Sequence, residues 1–264
     1  MNLSEDHYKE LCTAVKILEN PGIAAKITSL LGAQIEKGFE LLPESWNEKI
    51  GDITKSALLR AADIAIFTMK DSSASKPSNW LHKLGVASSG AVGGFFGLPA
   101  MAIELPISTT IMLRSIIDIA RSEGESITDA DTKLACLEVF ALGGKSKSDD
   151  AAESGYFAVR AALAKSITEA AEFIATKAIT EESAPQLLKF IIKIATRFSI
   201  QVTEKAAAQS VPAIGAAGGA VINTIFIDHF QDMAKGHFIV RRLEKIYGEE
   251  IVESEYNNIC RSNK

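Results

Sequence analysis

Two stretches of this chain carry no charged side chain: Leu84 to Ile103, LGVASSGAVGGFFGLPAMAI, and Ala206 to Ile227, AAAQSVPAIGAAGGAVINTIFI. Each is long enough to cross a bilayer as a helix, for which about 20 apolar residues suffice. A segment of this kind must sit either in hydrocarbon or in a protein interior. Composition argues against a fixed span. Gly, Ala and Ser supply much of both stretches and gain little from transfer to lipid, and Pro99, Gln209, Pro212 and Asn223 weaken them further. Small residues recur four apart, as Gly90 with Gly94, Gly93 with Gly97, and Gly215 with Gly219. On a helix such a pair lies on one face and lets another backbone approach closely. The segments therefore read as two buried central helices crossing at their glycines. They also fit helices that can leave the core and enter a bilayer, and the two readings agree if the buried state is the resting one.

Everything around them has helical periodicity. Ser4 before Glu5 and Asp6 marks a helix start, and Asn20-Pro21 marks another. Ile23, Ile27, Leu30, Leu31, Ile35, Phe39 and Leu42 recur at helical spacing up to Pro43. A third helix is expected from about Glu44 to Lys70, and a polar linker from Asp71 to Asn79. Further helices are expected over 105–121, set off from the uncharged stretch by Pro99 and Pro106, over 129–142, ended by Gly143-Gly144, over 156–178, and over 185–208. A long amphipathic stretch then runs to Tyr247-Gly248. No alternating β-branched run and no Asn-Gly or Asp-Gly hairpin occurs. The expected fold is all-α, a single multi-helix bundle with two central Gly-rich apolar helices. Residues 1–79 would supply amphipathic helices packing on a core of 80–250, and 251–264 a C-terminal tail, within one compact domain.

Net charge is −5, which disfavours a nucleic-acid binder needing a basic face to displace counterions. Cys12, Cys136 and Cys260 stand far apart, which fits a reducing compartment and no clustered zinc site. The start MNLSEDHYKE lacks the basic and apolar regions of a secretory signal. The expected location is cytoplasmic, with peripheral attachment at the inner membrane as a further option.

No motif announces a reaction. Gly-x-Gly, HExxH and GxSxG are all absent. Gly144-Lys145-Ser146 resembles the end of a phosphate loop, but Val139 stands where the first glycine belongs. Asp228, His229 and Asp232 have a spacing that can hold a divalent cation from one helix, but no Glu-x-x-His motif accompanies them, and they read foremost as a polar end to an apolar helix. No metal or cofactor is expected. Glu104 stands alone between two apolar runs, so burial would require a partner. Arg114, spaced to pair with Asp118, is too far along the helix, which leaves Lys205 or His229 and would tie the two Gly-rich segments together. Lys189, Lys193 and Arg197 stand four apart beside Leu188, Ile191, Ile192 and Ile194, with no acidic residue between Glu182 and Glu204. Such a basic amphipathic face either is simply solvated or rests on an anionic membrane surface.

Several strings are similar to the EcsC family. They are Gly97-Leu98-Pro99, Glu104-Leu105-Pro106, Leu113-Arg114-Ser115-Ile116, Leu137 to Gly143 (LEVFALG), Gly155 to Arg160 (GYFAVR), Val211 to Gly215 (VPAIG), Gly219 to Asn223 (GAVIN), and His237-Phe238 through Arg241-Arg242-Leu243-Glu244. Their order covers about residues 45 to 250. The resemblance implies a bacterial or bacterially derived helical protein, membrane-associated, and it transfers no catalytic residue. Three functions are consistent with these readings. The first is a non-enzymatic protein that binds lipid or a membrane partner through the Gly-rich helices. The second is a hydrolase-like enzyme on a small or lipidic substrate using Glu104, Asp228, His229 or Asp232. The third is a helical scaffold in a transport or secretion complex.

Overall fold

The computed structural model describes residues 3–19, 22–31, 35–65, 98–143, 155–175, 184–210 and 215–262. Among them are ten α-helices, one 3-10 turn and no strand. The helices are α1 (Glu5–Leu18), α2 (Ile23–Leu31), α3 (Ile35–Leu41), α4 (Trp46–Asp63), α5 (Leu98–Ser122), α6 (Ala130–Glu138), α7 (Gly155–Ala175), α8 (Ala184–Ser210), α9 (Gly215–Tyr247) and α10 (Glu249–Ser262). The 3-10 turn, Val139–Ala141, extends α6.

Three long helices organise the bundle. α9 packs against α1, α2, α5, α8 and α10, while α8 also packs against α2, α3, α4 and α7. Helix α5 lies between α4 and α9. At the centre Phe140, Phe198, Phe226 and Phe230 are fully buried. Phe140 lies 5.1 Å from Phe198 and 5.4 Å from Phe230 between ring centroids. Tilted and edge-on contacts of this kind add to the simple gain from removing apolar area from water.

Local chemistry sets the helix ends. Ser4 Oγ accepts from the backbone N–H of His7, with Glu5 and Asp6 in the first turn favoured by the helix dipole. Gly248, at φ +91, turns the chain from α9 into α10, a conformation that suits glycine. Gly236 allows α1 to lie close on α9, for a Cβ there would stand 2.7 Å from Leu18 Cγ.

The structure redraws three boundaries. Pro106 does not end a helix but lies inside α5. The missing N–H of Pro106 orphans one carbonyl, that of Ala102, and α5 is held by packing on α4 and α9, so the helix continues through it. The apolar run from Ile23 to Leu42 forms two helices, α2 and α3, rather than one. Residues 251–262, expected in a tail, form most of α10, which buries Val252, Tyr256 and Ile259 against α1 and α9. Gly90, Gly94 and Gly97 lie outside the described residues. Pro99 falls in the first turn of α5, where a missing N–H costs little, and Gly215 and Gly219 fall in the first two turns of α9.

Candidate functional site

The flanks of the two uncharged stretches meet. Glu104 on α5 and Lys205 on α8 form an ion pair with Nζ 2.6 Å from Oε1. The same ammonium stands 4.8 Å from the centroid of Phe226 on α9, near enough for attraction to the ring face. One turn further on, Gln209 Nε2 donates to Asn223 Oδ1 at 3.3 Å, and Gln231 Nε2 donates to Ser115 Oγ at 2.9 Å. These polar contacts tie α5, α8 and α9 together. Around this junction Ile103, Ile107 and Val221 are exposed, Ile103 most of all at 69%. Arg114 lies exposed further along α5, and Asp118 pairs there with Arg121 at 3.1 Å.

The Asp228, His229 and Asp232 constellation does not converge. His229 is fully buried and neither ring nitrogen has a hydrogen-bond partner. Desolvation, with Lys26 nearby, pushes its pKa down to about 3, so it is neutral. Asp232 pairs instead with Lys26 at 3.1 Å. Asp228 is exposed, and desolvation and the Asp232 carboxylate both raise its pKa. Among the described residues no group of three His, Cys, Asp or Glu side chains is placed to hold a metal ion.

On α8, Lys189 and Lys193 are exposed and Arg197 is half-buried. Leu188 and Ile192 are exposed beside the two lysines. Lys193 Nζ reaches the Ala162 carbonyl at 3.3 Å. Glu204, an acid on the same helix, points inward and accepts from the Ala24 N–H at 3.3 Å. Among the described residues no helix is long and apolar enough to cross a membrane.

The structure also assembles a group that no sequence motif marks. Glu138 ends α6, Tyr156 and Arg160 lie one turn apart on α7, and His237, Arg241 and Glu244 share a face of α9. Tyr156 and His237 are fully buried, with the phenol oxygen 3.0 Å from Nδ1. Burial holds the Tyr156 proton in place, and the ring nitrogen left without a hydrogen-bond partner is Nε2. That Nε2 faces Glu138 Oε2 across 3.8 Å, beyond hydrogen-bond reach. Burial, reinforced by Arg160 and Arg241, keeps the His237 pKa well below 6.5. Desolvation raises the Glu138 carboxyl to about 7, against a smaller opposing pull from Arg160 and Arg241. Arg160 clasps Glu244 with two bonds, 2.5 and 3.0 Å, and stacks over the Tyr156 and Phe157 rings. Arg241 bridges Asp131 at 2.6 Å and Glu125 at 3.3 Å.

Glu138, Arg160, Arg241 and Glu244 line a half-open cleft of about 530 Å³ between α6, α7, α9 and α10. Chemically the group can hold or yield a proton at Glu138 and can present a carboxylate to a donor. Its residues lie in the LEVFALG, GYFAVR and His237-to-Glu244 strings, where they served only as family markers. The available signal was a lone Glu138 in an apolar run, the same signal that singled out Glu104.

A family model described as the EcsC protein family matches residues 7–243. No curated protein matches the chain, and no solved structure does.

Proposed function

The chain belongs to the EcsC protein family, and from that premise we propose that it is a non-catalytic helical protein that docks on an anionic membrane surface. The observation that carries this reading is the outer face of α8, where exposed Leu188 and Ile192 alternate with exposed Lys189 and Lys193. Glu204, the acid within that helix, is engaged with the backbone of α2. Each lysine near an anionic leaflet contributes about 1 kcal/mol, and each large aliphatic side chain moved into the headgroup boundary contributes up to about 2 kcal/mol. The sum is a reversible attachment that salt screens. Exposed Ile103 and Ile107, one turn apart on α5, offer a second apolar contact at the Gly-rich junction. The Glu104–Lys205 pair then serves to hold that junction closed while the protein is off the membrane.

An enzyme working through Glu104, Asp228, His229 and Asp232 has less support. Glu104 is occupied by Lys205, His229 is sealed in the core, and none of the four lines the cleft. Co-sedimentation with phosphatidylglycerol-containing vesicles tests the membrane reading. The protein should pellet with them at low salt, release at high salt, and stay in solution with pure phosphatidylcholine. Absence of pelleting at low salt would sink the proposal.

A further inference from the structure

We propose that the cleft between α6, α7, α9 and α10 is a binding site for a small organic cation, an amine carrying an apolar arm. The site is independent of membrane docking, since none of Leu188, Lys189, Ile192 and Lys193 lines it. Its volume, about 530 Å³, lies in the range of small-molecule pockets.

Charge bookkeeping within the lining selects the sign of the ligand. The three basic side chains are committed: Arg160 to Glu244, Arg241 to Asp131 and Glu125, and Lys245 to Glu125 at 2.8 Å. Three acids have no such partner among the described residues. Glu249 and Glu253, one turn apart on α10, have no hydrogen bond or ion pair among the described residues. Glu138 is buried, its side chain 3% exposed, and its Oε1 has no hydrogen-bond partner. A buried polar atom left unpaired is costly, and native proteins rarely tolerate it without a functional reason. An anion entering this cleft would meet guanidinium groups already paired with carboxylates and a carboxyl that has no partner for Oε1. An ammonium would give Glu138 the donor it lacks and would pass between Glu249 and Glu253 on the way in.

Part of the lining is apolar. Phe157, Ala161, Ala164 and Ile167 lie along one side of α7 and line the cleft. They would cover a hydrocarbon or aromatic arm while the amine reaches Glu138. Arg160 is held back by its clasp on Glu244 and by the Tyr156 and Phe157 rings. That restraint keeps it from closing onto Glu138 and filling the space itself.

Calorimetric titration of the full chain with phenethylamine, and with hydrocinnamate as the acid of matching shape, tests the proposal. The amine should bind and the acid should not. Glu138→Gln should weaken the amine about tenfold, the loss expected for one charge-assisted hydrogen bond. Ala161→Trp places a bulky ring in the cleft from an exposed position of α7, so it should abolish binding while leaving the circular dichroism spectrum and melting temperature intact. This second variant decides the matter if Glu138→Gln fails to fold. No heat from the amine at millimolar concentration would overturn the proposal. So would equal binding of hydrocinnamate, or full affinity in Ala161→Trp.

Discussion

Lys205 and Glu104 meet at 2.6 Å with unequal burial, the lysine side chain 4% exposed and the glutamate 32%. The two halves of the pair are therefore not equivalent. Removing the glutamate charge strands a buried ammonium, whereas removing the lysine leaves a carboxylate that water can reach. Glu104→Gln should destabilise the protein by about 1–3 kcal/mol, and Lys205→Met, which keeps the volume, by clearly less. Urea denaturation of the two variants checks the order. A reversed order would show that the pair does not bear on the junction of α5 and α8.

Gly143 follows the 3-10 turn at φ +77. A Cβ there would stand 2.5 Å from His229 Nε2 and 2.8 Å from Met233 Sδ. Gly143→Ala combines an unfavourable backbone with an overlap against α9, and should cost roughly 2–4 kcal/mol. A melting temperature within a degree of the parent would show that the loop relaxes freely.

His229 makes no hydrogen bond and is held neutral by burial. Its folded pKa, about 3, is depressed from 6.5. Its contribution to stability is thus present above pH 6.5 and is lost as the pH falls towards 3. His229→Leu should be no less stable than the parent at pH 8, since it removes two unpaired buried nitrogens. Below pH 6.5 it should gain on the parent by about 1.4 kcal/mol per pH unit. Parallel stability profiles for the two proteins would contradict this environment.

Glu138 has the opposite sign. Its folded pKa is raised from 4.5 to about 7, so the folded state holds the proton more tightly. That advantage is full below pH 4.5 and is lost as the pH rises through 7. Glu138→Gln should therefore gain on the parent between pH 5 and pH 8, by roughly 2–4 kcal/mol across the window. Chemical denaturation at both values measures it.

How far the sequence reveals this molecule depends on what each signal reports. Helical periodicity reports which face is buried, and the all-α bundle follows from it. Glu104 was legible because one charge between apolar runs demands a partner, and Lys205 stood at the edge of the other run. Glu138 sends the same signal from within Leu134 to Leu142, but its string carries only the family resemblance. Asp228, His229 and Asp232 looked alike because linear spacing does not say that His229 faces the core while Asp232 meets Lys26. α10 resembled a tail because its stripe is short, Val252, Tyr256 and Ile259 within an acidic stretch. Pro106 looked like an end because local propensity cannot register the packing that carries α5 through it.

Membrane docking rests most directly on the outer face of α8. Lys189→Glu with Lys193→Glu reverses its charge at two exposed positions and should leave folding unchanged. At low salt the parent is predicted to pellet with phosphatidylglycerol vesicles, and the double variant is predicted to remain in the supernatant. Equal pelleting of the two proteins would contradict the assignment of α8 as the membrane-facing surface.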